Sequence, residues 1–212
     1  RCNAAKSYNS ENIVYLGSGY INSAGEAVGK TENDTRANAI MAGYIASVPA
    51  NSSVVHQTIQ GAADLIEKLT NADYEKAIDS GMILLSMGSD GQVWFDSGVN
   101  TLVTPDDTQD EGWKKIKRVK IRYELFDRID RTLEPLVGRV NATTDGFGAV
   151  IQAAQKVIDT MVAEGKLIVG TFTLVDSSPD SGWFEIAVTD TDTLEKIYLH
   201  YKFRYSQSSE TE

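Results

Sequence analysis

The chain is poor in the side chains that carry out most protein chemistry. It has one cysteine, Cys2, so no internal disulfide can form and stability must come from packing and assembly. It has two histidines, His56 and His200. Neither has a Cys, His or carboxylate neighbour at ligand spacing, which argues against a zinc site. Two histidines of surface type also give little support to a nucleophile–base–acid arrangement. No apolar run approaches the roughly 20 residues of a membrane helix. The chain opens "RCNAAKSYNSENIVYLG", without a basic-then-apolar signal segment and without an initiator Met, as expected of a processed, proteolysed or partial chain. Sites of the form N-x-S/T ("NDT", "NSS", "NAT") therefore lack a secretory context. "GSGYINSAG" follows an apolar run, but its third glycine is misplaced for a dinucleotide loop and no helix opens after it; no Walker loop occurs. A net charge of −10 argues against a general binder of nucleic acid or anionic membrane. Asp106, Asp107, Asp110 and Glu111 read as a solvated acidic loop, with weak cation binding as the lesser alternative. The expectation is a protein without catalytic residues, cofactor or metal.

What the chain does have is patterned surface. Residues 1–113 hold 15 acidic and 6 basic residues, whereas residues 114–212 hold 15 and 14. Six of those 14 lie in "KKIKRVKIR": Lys114, Lys115, Lys117, Arg118, Lys120 and Arg122. Ile116, Val119 and Ile121 interleave them, as on an amphipathic helix with a charged outer face. Basic residues in a first helical turn oppose the macrodipole, so an acidic partner from this chain or a neighbouring copy would offset a cost of a few tenths of a kcal/mol. A plain solvated face is the simpler reading. Lys114, Lys115, Lys117 and Arg118 are the candidate contact residues here.

Element by element, residues 1–103 read as a small α/β layer, incomplete at its N-terminus. Ile13–Leu16 is a buried strand and "SAGEAVGKTEND" a loop. A helix capped by Asp34 or Thr35 has Ala39, Ile40, Ala42, Gly43 and Ile45 inside and stops at Pro49. "SVVHQTI" is a short strand and "GAADLIEKL" a helical turn. A helix capped by Thr70 or Asn71 closes at Gly81. Met82–Ser86 and Gln92–Asp96 form a hairpin around "GSDG". The polar, Pro-containing "NTLVTPDDTQDEGW" is the boundary.

Residues 104–212 read as an α+β domain, two helices packed on an antiparallel sheet. The first helix spans about Lys114–Val137, with Ile116, Val119, Tyr123, Phe126, Ile129, Leu133 and Leu136 inside. The second starts at Thr143 or Thr144, buries Val150, Ala153, Val157, Ile158, Met161 and Val162, and ends at Gly165. Strands follow at "LIVGTFTLVD" and "GWFEIAVTD", joined by the turn "SSPDSG". The last run, Lys196–Tyr205, alternates throughout: Ile197, Leu199, Tyr201, Phe203 and Tyr205 on one face, Lys196, Tyr198, His200, Lys202 and Arg204 on the other.

This order of elements resembles the sheath-forming part of contractile tail sheath proteins, of the Gram-positive myophage and defective-prophage type. The resemblance rests on "NIVYLGSG", on "AIMAGYIAS" followed by "VPANSS", and on "EKAIDSGMILLSMGSDGQVWFDSGVNTLVT". It continues through "WKKIKRVKIRYELFDRIDRTLEPLVGRVNATTDGFGAVIQAAQKVIDTMVAEGKL", whose turn is Gly138 to Asn141. It ends in "TDTLEKIYLHYKF", with Asp192, Glu195, Lys196 and Ile197. It spans roughly Asn12 to Phe203. Family members are longer, with N-terminal domains and an arm ahead of this region. The resemblance implies a structural subunit of a virion tail or other contractile injection device, such as an R-type bacteriocin, assembled in the bacterial host cytoplasm. Partners would be neighbouring copies, six per ring, together with the tail tube, baseplate and terminator proteins. Nucleotide, nucleic acid and membrane play no part. Terminal arms would add as strands to a small sheet in the C-terminal region of adjacent subunits. On this chain that implicates Trp183, Glu185, Ile197, Leu199, Tyr201, Phe203 and Tyr205 in strand pairing, with Lys202 and Arg204 as further charge contacts. Another self-assembling or adaptor module using the same strand edge is the alternative.

Overall fold

A computed structural model describes residues 1–31, 34–195 and 199–203. The chain is a mixed α+β fold, with five α-helices and four small sheets among the described residues. Helix α1 (Cys2–Tyr8) precedes strands β1 (Tyr15–Leu16), β2 (Tyr20–Asn22) and β3 (Ala27–Val28). Next come α2 (Arg36–Ser47), β4 (Ala62–Leu65), α3 (Asn71–Ile78), β5 (Met82–Ile83), β6 (Leu85–Met87) and β7 (Val93–Phe95). The second half holds α4 (Ile116–Leu133), α5 (Thr144–Ala163), β8 (Leu167–Ser178) and β9 (Ser181–Asp190).

Strand β1 lies parallel to β5, and β6 pairs antiparallel with β7, Leu85 opposite Phe95. This is the expected hairpin, with its first run broken at Leu84. The stretch expected to be loop after Asn22 contains β3. The Asn22 side chain accepts hydrogen bonds from the backbone of Ala24 (3.0 Å) and Glu26 (2.9 Å), and Gly25 takes a positive φ of 82°, so β2 turns back as a hairpin. The helical turn expected at Ala62–Leu65 is instead β4, paired with β2. Helix-forming residues yield here because β2 offers an open edge, and a free edge outweighs weak local propensity. "SVVHQTI" forms no named strand. It runs beside β7, His56 N donating to Phe95 O (2.9 Å) and Ile59 N to Val93 O (2.8 Å).

Two of the expected helix faces are rotated. On α2 the buried residues are Ala37 and Met41, with Ile40, Tyr44 and Ile45 half-buried, while Ala39, Ala42 and Gly43 face outward. The larger side chains fill the space over the sheet, and Tyr44 stacks edge-on against Phe95. On α4 Ile116, Val119 and Ile129 are buried as expected and Ile121 and Leu125 join them, whereas Tyr123 and Phe126 are 42% and 44% exposed. The sequence carries two apolar stripes on this helix, and α5 meets only one. Helix α4 ends at Leu133, and Glu134–Leu136 continues as a 3₁₀ turn carrying Pro135. The caps follow expectation: Thr70 forms a capping box with Asp73, and the Thr143 hydroxyl accepts from Gly146 N at 3.2 Å.

The main cores are distinct. One gathers Tyr20, Met41, Ile83, Leu85, Val93 and Phe95 beneath α2. The other gathers Ile121, Leu125, Ile129, Ala154, Ile158, Met161, Leu167 and Phe172. Contacts cross between them: Ile116 packs in the first and Ala50 in the second. The acidic connection is an excursion whose two ends are tied together. Fully buried Asn100 donates from its side chain to Trp113 O (2.6 Å) and from its backbone to Lys114 O (3.0 Å).

Candidate functional site

The longest strands, β8 and β9, form a two-stranded hairpin lying on α5. Residues rich in β-branched and aromatic side chains build it, and Asp180 shapes its tip by accepting from Ser178 and Ser181. The inward face of β9 carries Phe184, Ile186 and Val188; Phe184 stacks on Phe172 of β8 with ring centres 5.1 Å apart. Gly170 lets α5 come close, since a Cβ there would sit 2.7 Å from Ile158 Cγ2. Trp183 and Glu185 fall on the outward face. Trp183 is 55% exposed, and Ile168, Val169 and Val175 of β8 are exposed with it.

Backbone parity follows from the register. Phe172 N donates to the Gln155 side-chain carbonyl (3.1 Å), and the Gln155 amide donates to Gly170 O (3.0 Å). Gly170 and Phe172 therefore point their backbone groups away from β9. In an antiparallel ladder their opposite numbers do likewise: Val188 and Ile186, and by the same alternation Phe184 opposite Leu174. No described residue hydrogen-bonds these three along the outer edge of β9. The backbones of Glu185 and Ala187 face β8 instead. Both irregularities of the ladder place the extra residue on β8, at Ile168 and Val175, so β9 runs unbulged from Trp183 to Asp190.

The far end of the hairpin is pinned by charge. Asp190 is buried and accepts from Arg118 Nε (3.0 Å) and Arg122 Nε (2.8 Å). Burial alone would raise its pKa, but these hydrogen bonds prevail and hold the carboxyl below its usual range. Arg122 also forms a two-pronged pair with Asp110 (2.8 and 3.0 Å) and stacks over the Trp113 ring at 4.7 Å. Lys114 pairs with Glu111 at 2.7 Å, and Lys115 pairs with Glu195. Lys117 is buried, and desolvation pushes its ammonium down against the pull of Asp192, Asp190 and Glu195. Lys120 donates to the carbonyls of Ile45 (2.6 Å) and Val48 at the end of α2, where a cation suits the helix dipole. The basic run of α4 thus finds much of its acidic complement inside this chain. Beyond β9, Thr191 is tied to Gly165 and Lys166, and the Lys115–Glu195 pair holds the chain back towards α4.

No described residue of the final run joins the hairpin. Leu199, Tyr201 and Phe203 are 68%, 70% and 93% exposed and belong to no strand; His200 and Lys202 are exposed beside them. Over Leu199–Phe203 this corrects the expectation that Lys196–Tyr205 is one of the subunit's own strands. Alternation gives a segment two faces, but a strand forms only when another backbone takes up its N–H and C=O groups. Ile197, Tyr205 and Arg204 lie outside the described residues. His56 stacks on Trp94, with ring centres 4.6 Å apart. No described helix is long and apolar enough to cross a membrane, and no described group of three His, Cys, Asp or Glu residues converges as a metal site would.

Sequence reasoning missed Asp190 and Gln155, and it read Asp110 as part of a solvated loop where the structure pairs it with Arg122. Asp190 was signalled by an acid on the apolar parity of β9, after Phe184, Ile186 and Val188. Gln155 was signalled by a polar residue four after Ile151 and three before Ile158 on α5.

No family model matches the chain, and no curated protein matches it by sequence. Solved structures do match its fold. The sheath tail protein of Listeria innocua superposes with a TM-score of 0.66 at 17% identity, over 86% of this chain and 47% of that one. The sheath tail protein of Desulfitobacterium hafniense gives 0.70 at 16%, over 88% and 47%. The sheath complex of an extracellular contractile injection system, in its contracted state, gives 0.73 at 13%, over 95% and 59%. The chain has the fold of tail sheath proteins. It spans about half the length of the sheath structures it matches.

Proposed function

We propose that this chain is the sheath-forming portion of a structural subunit that polymerises around a tail tube and contracts to drive the tube through a target envelope. What supports this most is likeness to sheath structures over 86–95% of the chain, combined with a hairpin edge that no described residue pairs. Sheets that end in an open, straight edge are ready to receive another strand, and main-chain hydrogen bonds supply the affinity. Neighbouring copies are the proposed partners, six to a ring, with the tube, baseplate and terminator proteins at the borders of the polymer. The proposed location is a virion tail or related contractile device, built in a bacterial cytoplasm. Residues 1–103 and 104–212 act as two lobes joined through α4. The proposed mechanism has no catalytic step: the work comes from the difference in contacts between two arrangements of the lattice.

Electron microscopy of the protein expressed from its complete reading frame tests the proposal. Rings or striated tubes are the expected result. Dispersed monomers at high concentration, confirmed by light scattering, would overturn it.

A further inference from the structure

Past β9 the chain crosses the first turns of α4 as a strap, Thr191–Glu195. Its near end is bonded to the body. The Thr191 hydroxyl donates to Gly165 O (3.0 Å) and its N–H to Lys166 O (3.0 Å). Beyond Thr191 no hydrogen bond joins the strap's backbone to the rest of the described chain; Thr193 N turns to the neighbouring Asp192 carboxylate at 2.8 Å. Packing does not hold the far end either. Leu194 is 81% exposed, and the buried Thr193 hydroxyl has no partner among the described residues. A cavity of about 550 Å³ opens beside the strap, lined by Asp192 together with Val99, Asn100, Lys114, Lys115 and Arg118. What remains is charge. Glu195 pairs with Lys115, and Asp192, Asp190 and Glu195 are the acids that act on buried Lys117. The Lys115 and Glu195 side chains stay partly exposed, and ion pairs open to water hold weakly.

We propose that Thr191–Glu195 is an autoinhibitory strap: it covers the basic start of α4 with the chain's own carboxylates, and an acidic segment of a partner protein takes its place at Lys115 and Lys117. The strap peels from Glu195 back to Thr191, while Asp190 stays pinned by Arg118 and Arg122. Exchange of one set of carboxylates for another leaves the charge balance of the site as it was, and the cavity gives the incoming segment room. A peptide fits better than a nucleic acid. The site already accommodates carboxylates, and a net charge of −10 repels a long polyanion. The strap belongs to the single chain, whatever assembly the chain enters.

Acylation of lysines by N-hydroxysuccinimidyl acetate, read residue by residue by mass spectrometry on the whole chain, tests this. Lys156, exposed on α5, is the internal reference. In the native chain Lys117 should react about tenfold slower than Lys156, or slower still. In the double variant Asp192→Asn, Glu195→Gln, Lys117 should react about fivefold faster or more, while Lys156 and the urea unfolding curve stay as they were. The native chain in about 0.5 M sodium chloride should move the same way. Should the substitutions lower the unfolding midpoint, the salt series on the native chain decides alone. Fluorescein-labelled hexaglutamate should bind the double variant about fivefold tighter or more than the native chain, and should slow Lys117 again. Lys117 reactivity unmoved by the substitutions or by salt would overturn the strap. Failure of hexaglutamate to bind the released form, or equal protection of Lys117 by a thymidine oligonucleotide, would overturn the acidic peptide as its replacement.

Discussion

Phe172 sits where α5, β8 and β9 meet, fully packed between Ile158 and Phe184. Truncating it to Ala should cost about 3–5 kcal/mol in urea unfolding, the usual range for an emptied aromatic site. Glu164 tests charge at the same scale. Hydrogen bonds from Arg128 (2.9 Å) and Lys166 (2.6 Å) lower its pKa from 4.5 to about 2. A carboxylate whose folded pKa is depressed contributes stability above its unfolded pKa, and that contribution fades as pH falls through the folded value. Glu164→Gln should therefore be less stable than the native chain at pH 7, and the gap should close between about pH 5 and pH 2. The group is partly exposed, so added salt should narrow the gap as well. An unchanging gap across that range would remove Glu164 from the account. At this scale much was readable in advance: Thr70 and Thr143 announce helix starts because a hydroxyl before a helical run has one evident use. Asp190 was harder, since its value depends on two arginines about 70 residues away in sequence.

Single elements show where pattern reading stops. The β6–β7 hairpin and the β8–β9 pair were legible, because turn residues and alternation are local facts. The inner face of α4 was legible only in part, at Ile116, Val119 and Ile129. Tyr123 and Phe126 fall on the helical period as well as Ile121 and Leu125 do, and only the position of α5 decides between them. Strand β4 was missed for the same reason, its state being set by β2. The final run is the instructive case: its alternation is strong, yet Leu199–Phe203 stays exposed in the single chain. Tyr201→Pro should accordingly leave the melting temperature of the isolated chain within a degree or two while abolishing polymerisation, since Pro removes a ladder N–H that only a neighbour would use. A large drop in melting temperature would show that the segment is already paired at home.

For the molecule as a whole, the mixed α+β class was readable from composition and period. The attachment of residues 1–103 to residues 104–212 was not. It rests on Lys120 capping α2, on Asn100 tying Val99–Thr101 to Trp113–Lys115, and on Asn51 reaching Glu164 O at 3.3 Å. Charge should act at this scale too. Lys202→Glu should weaken polymerisation, more so at low than at high salt, and leave the unfolding curve of the single chain unmoved. Sedimentation at two ionic strengths reads this directly. Lys114 and Lys115 should matter less to assembly, because Glu111 and Glu195 already engage them.

The pairing of Asp190 with Arg118 and Arg122 also has a mechanical side. A strand bonded along β9 would be loaded in shear, with its ladder bonds sharing the pull. That tension leaves β9 at its C-terminal end, crosses the two guanidinium groups into the first turns of α4, and passes through Lys120 to the end of α2. Charge-assisted bonds thus run alongside the apolar contact of Ala50 as a route by which a tug on the hairpin would reach residues 1–103.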